Sequence, residues 1–325
     1  MRLQNFMRTV LIIGGTGFLG SHLARRLVND RYNVIVLARR PRPILDVTDK
    51  VRIVRGDILN LQDLVEVINN YKPECLFHLA AMLSALSEEN PIAGYKVGIE
   101  GTWNILEAAR IMKIKKVVFA SSLAVYGPEV PEYPHEGLHT KPRTIYGISK
   151  VFGELLGLYY YWKYGIFFVA CRFPSIIGPG RQNGGASAYT SLIIQKPAQG
   201  EPYEVKVPEN ARLPIIYIKD AVDVIVKLYM NIEKLKSRIF NLGGIHPSPT
   251  AGEIAATVKQ FIPEADITFK PEPETAKIVK NWLKDVDDSK LRTELGWQPT
   301  YSSLPDLVQD FIHEVRQNPN IFHVK

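Results

Sequence analysis

Residues 9–27 read TVLIIGGTGFLGSHLARRL, and this stretch decides the fold. Thr9 to Ile13 form a short apolar, partly β-branched run, the pattern of a buried strand. Phe18 to Asp30 carry apolar residues at helical spacing. Between them Gly14, Gly17 and Gly20 stand in a G-x-x-G-x-x-G pattern. In such a turn one glycine makes the tight bend and another lets the backbone approach a pyrophosphate. The third lets helix pack on strand, and the helix N-terminus faces the phosphates. A glycine pattern alone is weak evidence; between a strand and a helix at the head of an alternating chain it is strong.

The alternation continues outward. Strands are predicted at 33–38, 51–56, 74–80, 115–122 and 166–173, and helices at 61–71, 91–112 and 146–164. Strands alternating with helices of this length make parallel βαβ units and a doubly wound α/β sheet of the Rossmann type. The alternation breaks near Arg172. Residues 174–214 are rich in Gly, Pro and polar groups, as in a substrate-binding excursion, and 215–243 return to the sheet. Short helices and Pro-rich turns follow. The predicted division is a dinucleotide-binding domain over 1–173 with 215–243, and a smaller substrate-binding lobe over 174–214 and 244–325. Residues 1–8 read as a disordered leader or as an upstream start before Met7.

Composition narrows the function. The 325 residues are 46% hydrophobic and 22% charged, with a net charge of +7, which fits a soluble globular protein. The basic residues are scattered, which argues against a nucleic-acid surface and for attraction of an anionic cofactor or substrate. No apolar run is long enough to span a bilayer, so a cytoplasmic protein with no membrane partner is expected. Cys75 and Cys171 lie in apolar strand-like runs and read as buried thiols, not as a disulfide or a metal site.

Two further places carry chemistry. Tyr146 and Lys150, in IYGISK, are four residues apart, about one helical turn. A lysine ammonium there, with a positive nicotinamide ring, favours the phenolate and makes Tyr146 a usable general base. Ser122, in ASSLAVYG, ends the fifth strand at the sheet edge where ligands bind and can hydrogen-bond the same substrate hydroxyl. At the end of the second strand, where an acid would hold the ribose hydroxyls of NAD, stands Ala38, followed by Arg39 and Arg40. Guanidinium groups suit a 2′-phosphate, so NADP is favoured, with NAD as the alternative. His78 follows an apolar run and reads as a packed strand residue; Trp282 is expected to pack the small lobe.

The glycine spacing, with Ser122, Tyr146 and Lys150 in that order, resembles the extended short-chain dehydrogenases/reductases. The resemblance covers nearly the whole chain. It implies cofactor contacts from Gly14, Thr16, Gly17, Phe18, Leu19, Gly20, Arg39, Arg40, Asp57, Ile58, Leu79, Ala80, Ala81, Tyr146 and Lys150. Asp57 is placed to touch the adenine edge. Four long stretches, beginning at Leu79, Lys141, Glu209 and Trp282, are similar to the short-chain type of L-threonine 3-dehydrogenase. Two departures stand out: the basic pair after Ala38, and Gly184-Gly185-Ala186-Ser187-Ala188-Tyr189, where Ala188 replaces an acid able to meet an amino group. The stretch 184–213 resembles sugar-acid dehydrogenases of the D-erythronate type. The expected activity is therefore NAD(P)-dependent oxidation of a secondary alcohol on a small polar acid, L-threonine-like or a sugar acid. Tyr146 would take the hydroxyl proton while hydride leaves for the nicotinamide.

The alternative is a sugar-nucleotide epimerase, dehydratase or reductase. Ser175 stands where those enzymes place an asparagine, whereas the Gly178-Pro179-Gly180 run is common among them. Gly98 also replaces a frequent asparagine. Expected substrate contacts are Ser84, Ser122, Ser187, Tyr189 and Arg212, the last as a carboxylate clamp or as an ion-pair partner of Asp220 or the C-terminal lobe. A homodimer through the helices at 91–112 and 146–164 is expected from the family, with apolar surface around Leu155, Leu156, Tyr159 and Tyr160.

Overall fold

The computed structural model describes residues 7–181 and 185–322. The first six residues of the expected leader, and Gly184 of the loop, lie outside them. In chain order the elements are β1 (Thr9–Ile13), α1 (Phe18–Asn29), β2 (Asn33–Ala38), β3 (Arg52–Arg55), α2 (Leu61–Tyr71), β4 (Cys75–His78), α3 (Ser84–Glu89), α4 (Pro91–Tyr95) and α5 (Gly101–Ile111). Next come β5 (Lys116–Ser122), α6 (Ile145–Tyr164), β6 (Phe167–Phe173), β7 (Ser175–Ile177), α7 (Tyr189–Ala198), β8 (Tyr203–Val205), β9 (Ile215–Tyr217), α8 (Ile218–Asn231) and β10 (Ile239–Asn241). The chain finishes with α9 (Ala251–Phe261), β11 (Ile267–Phe269), α10 (Pro273–Lys280), α11 (Ser289–Leu295), α12 (Leu304–Gln317) and α13 (Pro319–Phe322).

Seven strands form one sheet in the order β10-β6-β5-β4-β1-β2-β3, the doubly wound arrangement. The pairs β1–β2, β1–β4, β2–β3 and β4–β5 are parallel. Strand order reverses between β1 and β4, the point at which doubly wound sheets bind ligands at the carboxyl ends of their strands. Both strands are buried on both faces, which is why they read as unbroken apolar runs. Cys75 and Cys171 are free and buried.

The chain divides into two compact units: residues 1–121, 144–171 and 225–239 in one, and 122–143, 172–224 and 240–325 in the other. Glycines set the packing of the first. On α6 the Cβ that an alanine would add at Gly153 falls 2.5 Å from Phe119 Cζ, and at Gly157 2.1 Å from Phe168 Cζ. Those two rings stack at 6.1 Å between centroids. Helix α6 therefore lies backbone-close on the sheet, started by Thr144, whose Oγ1 accepts from Gly147 N, and stopped by Gly165 at φ +65°.

The single helix expected over 91–112 is interrupted. Residues Lys96–Glu100 form a π-turn between α4 and α5. At Gly98 an added Cβ would lie 2.5 Å from Ser149 Cβ, so the wider turn brings a glycine to the closest approach with α6.

In the second unit Trp297 is fully buried and donates from Nε1 to Asp223; Trp282 is only half-buried. His246 Nδ1 lies 2.8 Å from Asp285 Oδ1 and Nε2 3.5 Å from Asp288 Oδ2. Hydrogen bonds to Asp285 and then Asp288 raise its pKa to about 9. A histidine raised in the folded state stabilises fully below its unfolded pKa of about 6.5, and this is lost as pH rises toward 9. His246→Gln should therefore lower the melting temperature most near pH 6, with the gap to wild type closing by pH 9 to 10. A gap unchanged across that range in thermal scans would rule out the charged histidine.

Candidate active site

The glycine loop joins β1 to α1 at the strand-order reversal. Gly14 has φ +90°, and an added Cβ would lie 2.7 Å from Ala80 N, so the loop after β1 rests on the residues after β4. At Gly20 an added Cβ would lie 2.3 Å from Gly14 O. Gly17 is exposed and caps α1 with no side-chain hydrogen bond, and no acidic residue occupies the first turn. The opening amides of α1 are thus left facing outward with the positive end of the helix dipole. Such a helix start could hold a diphosphate, and the residues present fit a dinucleotide.

The residues expected on the adenosine side follow the next two strands. Arg39 and Arg40 are both exposed just past Ala38, the last residue of β2. Asp57 follows β3 and its Oδ1 accepts from Leu59 N at 3.0 Å, while its own N–H donates to Asp63. Ile58 is buried beneath α5, where its side chain fills the space a Cβ at Gly101 would need. Leu79 and Ala80 are half-buried and Ala81 exposed after β4. Ser84 is the first residue of α3 and half-buried.

Tyr146 is the second residue of α6 and Lys150 is one turn on. Lys150 is buried, and its Nζ lies 5.4 Å from the centre of the Tyr146 ring and 4.8 Å from that of Phe119. One of its N–H groups donates to Ala120 O at 2.6 Å. Burial pulls its pKa down to about 8, against the opposing pull of Glu154. Glu154, a further turn along the same stripe, is buried and accepts from Ser121 Oγ at 2.5 Å. The 146-150-154 spacing places this carboxylate one turn beyond Lys150 on the same helix.

His78 is a packed residue of β4. Thr102 Oγ1 donates to Gly98 O at 2.7 Å, so His78 Nε2 carries the proton it gives to Thr102 at 2.9 Å. Burial, and then the charge on Lys150, holds its pKa down near 3. His78 is a neutral spacer beside Lys150.

In the second unit Ser122 Oγ accepts from Ala124 N at 3.1 Å, opening the turn after β5. Ser187 is gathered into a cluster that sequence reading missed. Arg181 Nη2 donates to Ser187 Oγ at 2.6 Å, and its Nη1 donates to Ile176 O at 2.6 Å and Ser175 Oγ at 3.1 Å. Arg181 sits just after Gly178-Pro179-Gly180, the only signal it gave. Tyr189 opens α7, is buried, and its hydroxyl has no partner among the described residues; burial raises its pKa. Arg212 does not meet Asp220, whose carboxylate accepts from the amides of Thr300 and Tyr301. It lies 3.8 Å from Glu253 and lines a cavity that contains neither Ser187 nor Tyr189.

A doubly wound sheet with a glycine cradle at its reversal point and a Tyr–Lys pair on the helix after β5 defines a dinucleotide-dependent enzyme of the short-chain type. The chain belongs to the NAD dependent epimerase/dehydratase family, whose model matches residues 10–243. It is 32% identical over 311 residues to the mitochondrial L-threonine 3-dehydrogenase of Bos taurus, covering 94% of this chain and 82% of that one. Among solved structures it matches the GalE-like L-threonine dehydrogenase of Cupriavidus necator in its holo form, with a TM-score of 0.87 and 28% identity. That match covers 94% of this chain and 99% of the other. It also matches L-threonine dehydrogenase from Clostridium difficile, with a TM-score of 0.87 and 28% identity over 97% of this chain and 99% of that one. Among the described residues no helix is long and apolar enough to cross a membrane.

Proposed function

We propose that this protein is an NAD(P)-dependent dehydrogenase that oxidises the secondary alcohol of a small polar acid, L-threonine-like or a sugar acid. The observation that carries the reading is the Tyr146–Lys150 pair, a phenol one turn from a buried ammonium. The threonine dehydrogenases among its relatives support the substrate class.

The cradle of Gly14, Gly17 and Gly20 with the α1 amides holds the diphosphate, and Arg39 and Arg40 hold a 2′-phosphate. The bound nicotinamide supplies the hydride acceptor. Tyr146 Oη takes the proton from the substrate hydroxyl. Ser122 orients that oxygen, and Lys150 biases Tyr146 toward phenolate. Ser84, Ser187 and Tyr189 contact the rest of the substrate, with Arg181 holding the Ser187 hydroxyl in place. The protein works in the cytoplasm as a homodimer through α5 and α6. On those helices Trp103, Ile111, Leu155, Tyr159 and Trp162 are exposed, the last at 73%. Tyr160, expected in that surface, is buried and bonds Glu107. Sedimentation of Trp162→Glu as a monomer where wild type is a dimer would support this interface.

The testing experiment follows reduced-nicotinamide absorbance with NADP or NAD against L-threonine, L-serine, D-erythronate, UDP-glucose and UDP-galactose. A rise with one of the acids is expected. Silence on every acid, with UDP-sugars interconverted and no net reduction, would establish the second reading, a sugar-nucleotide epimerase, which the Gly178-Pro179-Gly180 run favours. Replacing Arg39 and Arg40 by alanine should raise KM for NADP by about tenfold or more, since hydrogen bonds to charged groups are worth about 1.5–3 kcal/mol each. KM for NAD should barely move. Equal effects on both cofactors would remove the case for NADP.

A further inference from the structure

The second unit holds a cavity of about 400 Å³ lined by one face of α9, the 245–249 turn, Arg212 and Leu304. Glu253, Ala256, Thr257 and Gln260 supply the α9 face, at helical positions i, i+3, i+4 and i+7. Ile245, Pro247, Pro249 and Leu304 make the rest largely apolar.

Among the described residues, two polar groups in this wall are without a hydrogen-bond partner. The Arg212 guanidinium donates no hydrogen bond among the described residues, and its one ionic neighbour, Glu253, stands off at 3.8 Å. Glu253 is engaged elsewhere: its Oε2 accepts from Thr250 N at 2.6 Å in the capping box of α9. Ser248 is 1% exposed and its Oγ has no partner among the described residues, although its N–H is bonded to Asp285. A buried hydroxyl without a partner costs free energy, and a guanidinium presents a planar fork matched to a carboxylate. The backbone of Arg212 is fixed by a bridge to Thr250. The cation is thus anchored at its base, and its tip keeps only the loose ion pair with Glu253.

We propose that this cavity binds a small organic monocarboxylate, its acid group on Arg212 and Ser248 and a short apolar tail against Ile245, Pro247 and Leu304. The site goes beyond the dehydrogenase reading. Arg212 keeps a carboxylate-clamping role but exercises it here, apart from Ser187 and Tyr189. A single charge fits better than a phosphate dianion, because the Glu253 carboxylate shares the wall and repels added negative charge. The volume exceeds what a bare inorganic anion fills, and the apolar residues favour an alkyl group.

The test titrates sodium butyrate into the purified full-length protein by calorimetry, with acetate, n-butylammonium and inorganic phosphate alongside. Saturable butyrate binding is expected, weaker for acetate and absent for butylammonium. Arg212→Gln should weaken butyrate about tenfold or more and Ser248→Ala about threefold to tenfold, in keeping with charge-assisted and ordinary hydrogen bonds. Ala256→Trp fills the cavity from an exposed helix position, so it should fold and lose butyrate even if Arg212→Gln does not fold. Butyrate binding unchanged in Arg212→Gln or Ala256→Trp would overturn the site. Phosphate binding as tightly as butyrate would reduce it to a plain anion site, against the proposal. Butyrate acting as a simple competitor of the oxidised substrate would also overturn it, by making this the substrate's own pocket. Failure of the dehydrogenase assay leaves the binding result untouched, so the two readings fail separately.

Discussion

Tyr146→Phe is expected to lower turnover by about a thousandfold, the middle of the range for loss of a general acid–base group. The substitution removes one oxygen. The ring that sits 5.4 Å from Lys150 Nζ remains, and so does the Thr144 cap that starts α6. Cofactor affinity and melting temperature should therefore stay close to wild type, while kcat and kcat/KM fall together. Lys150 cannot substitute as the base. Its Nζ is buried and already donates to Ala120 O, and its pKa near 8 leaves it mostly protonated at neutral pH. The check is steady-state turnover with calorimetric binding of the cofactor to the same variant. A variant within tenfold of wild type would mean that another group takes the proton, whichever substrate proves right.

Gly20→Ala should be strongly damaging to the first unit. An alanine inside a helix ordinarily gains about 1 kcal/mol over glycine. Here its Cβ would lie 2.3 Å from Gly14 O and 2.6 Å from Gly15 Cα, both backbone atoms that no rotamer change can clear. Overpacking of this kind costs about 1–3 kcal/mol and more when the backbone must shift. The overlap wins over the propensity, and a net loss of about 2 kcal/mol is expected in urea unfolding. The forced shift falls on the phosphate cradle, so dinucleotide affinity should drop about tenfold or more, the equivalent of about 1.4 kcal/mol. Gly200→Ala is the comparison: nothing lies within 4 Å of its added Cβ, so only the strain of its φ of +76° is felt. If Gly20→Ala kept both stability and cofactor affinity, the loop would not be packed as described.

Much of the first unit was legible because its signals are local. The strand β1 announces itself by its apolar run and the glycines after it, and helices α2 over Leu61–Tyr71 and α6 by the apolar stretches placed between predicted strands. The Tyr146–Lys150 spacing is likewise a one-turn pattern. What stayed hidden is what depends on distant partners. The π-turn at Lys96–Glu100 inserts one residue into an unbroken helical pattern, and its reason, the approach of Gly98 to Ser149, lies 51 residues away in sequence. Arg181 gathers Ser175 and Ser187 only once the chain has folded back. The partner of Arg212 was open between Asp220 and the C-terminal lobe. It is Glu253, because the amides of Thr300 and Tyr301 already occupy Asp220.

Gly157, which rests on Phe168, makes α6 a lever with its fulcrum far from Tyr146. From Gly157 to Tyr146 is 11 residues, or about 16 Å along the axis at 1.5 Å per residue. A tilt of about 5° at the Phe168 contact would swing the phenol by about 1.4 Å over that arm, and an error of about 1 Å in a reacting group can cost about a hundredfold in rate. On the proposed mechanism, small changes in ring volume three turns from Tyr146 are thus geared up at its hydroxyl, and the Phe168 ring beneath α6 sets its aim.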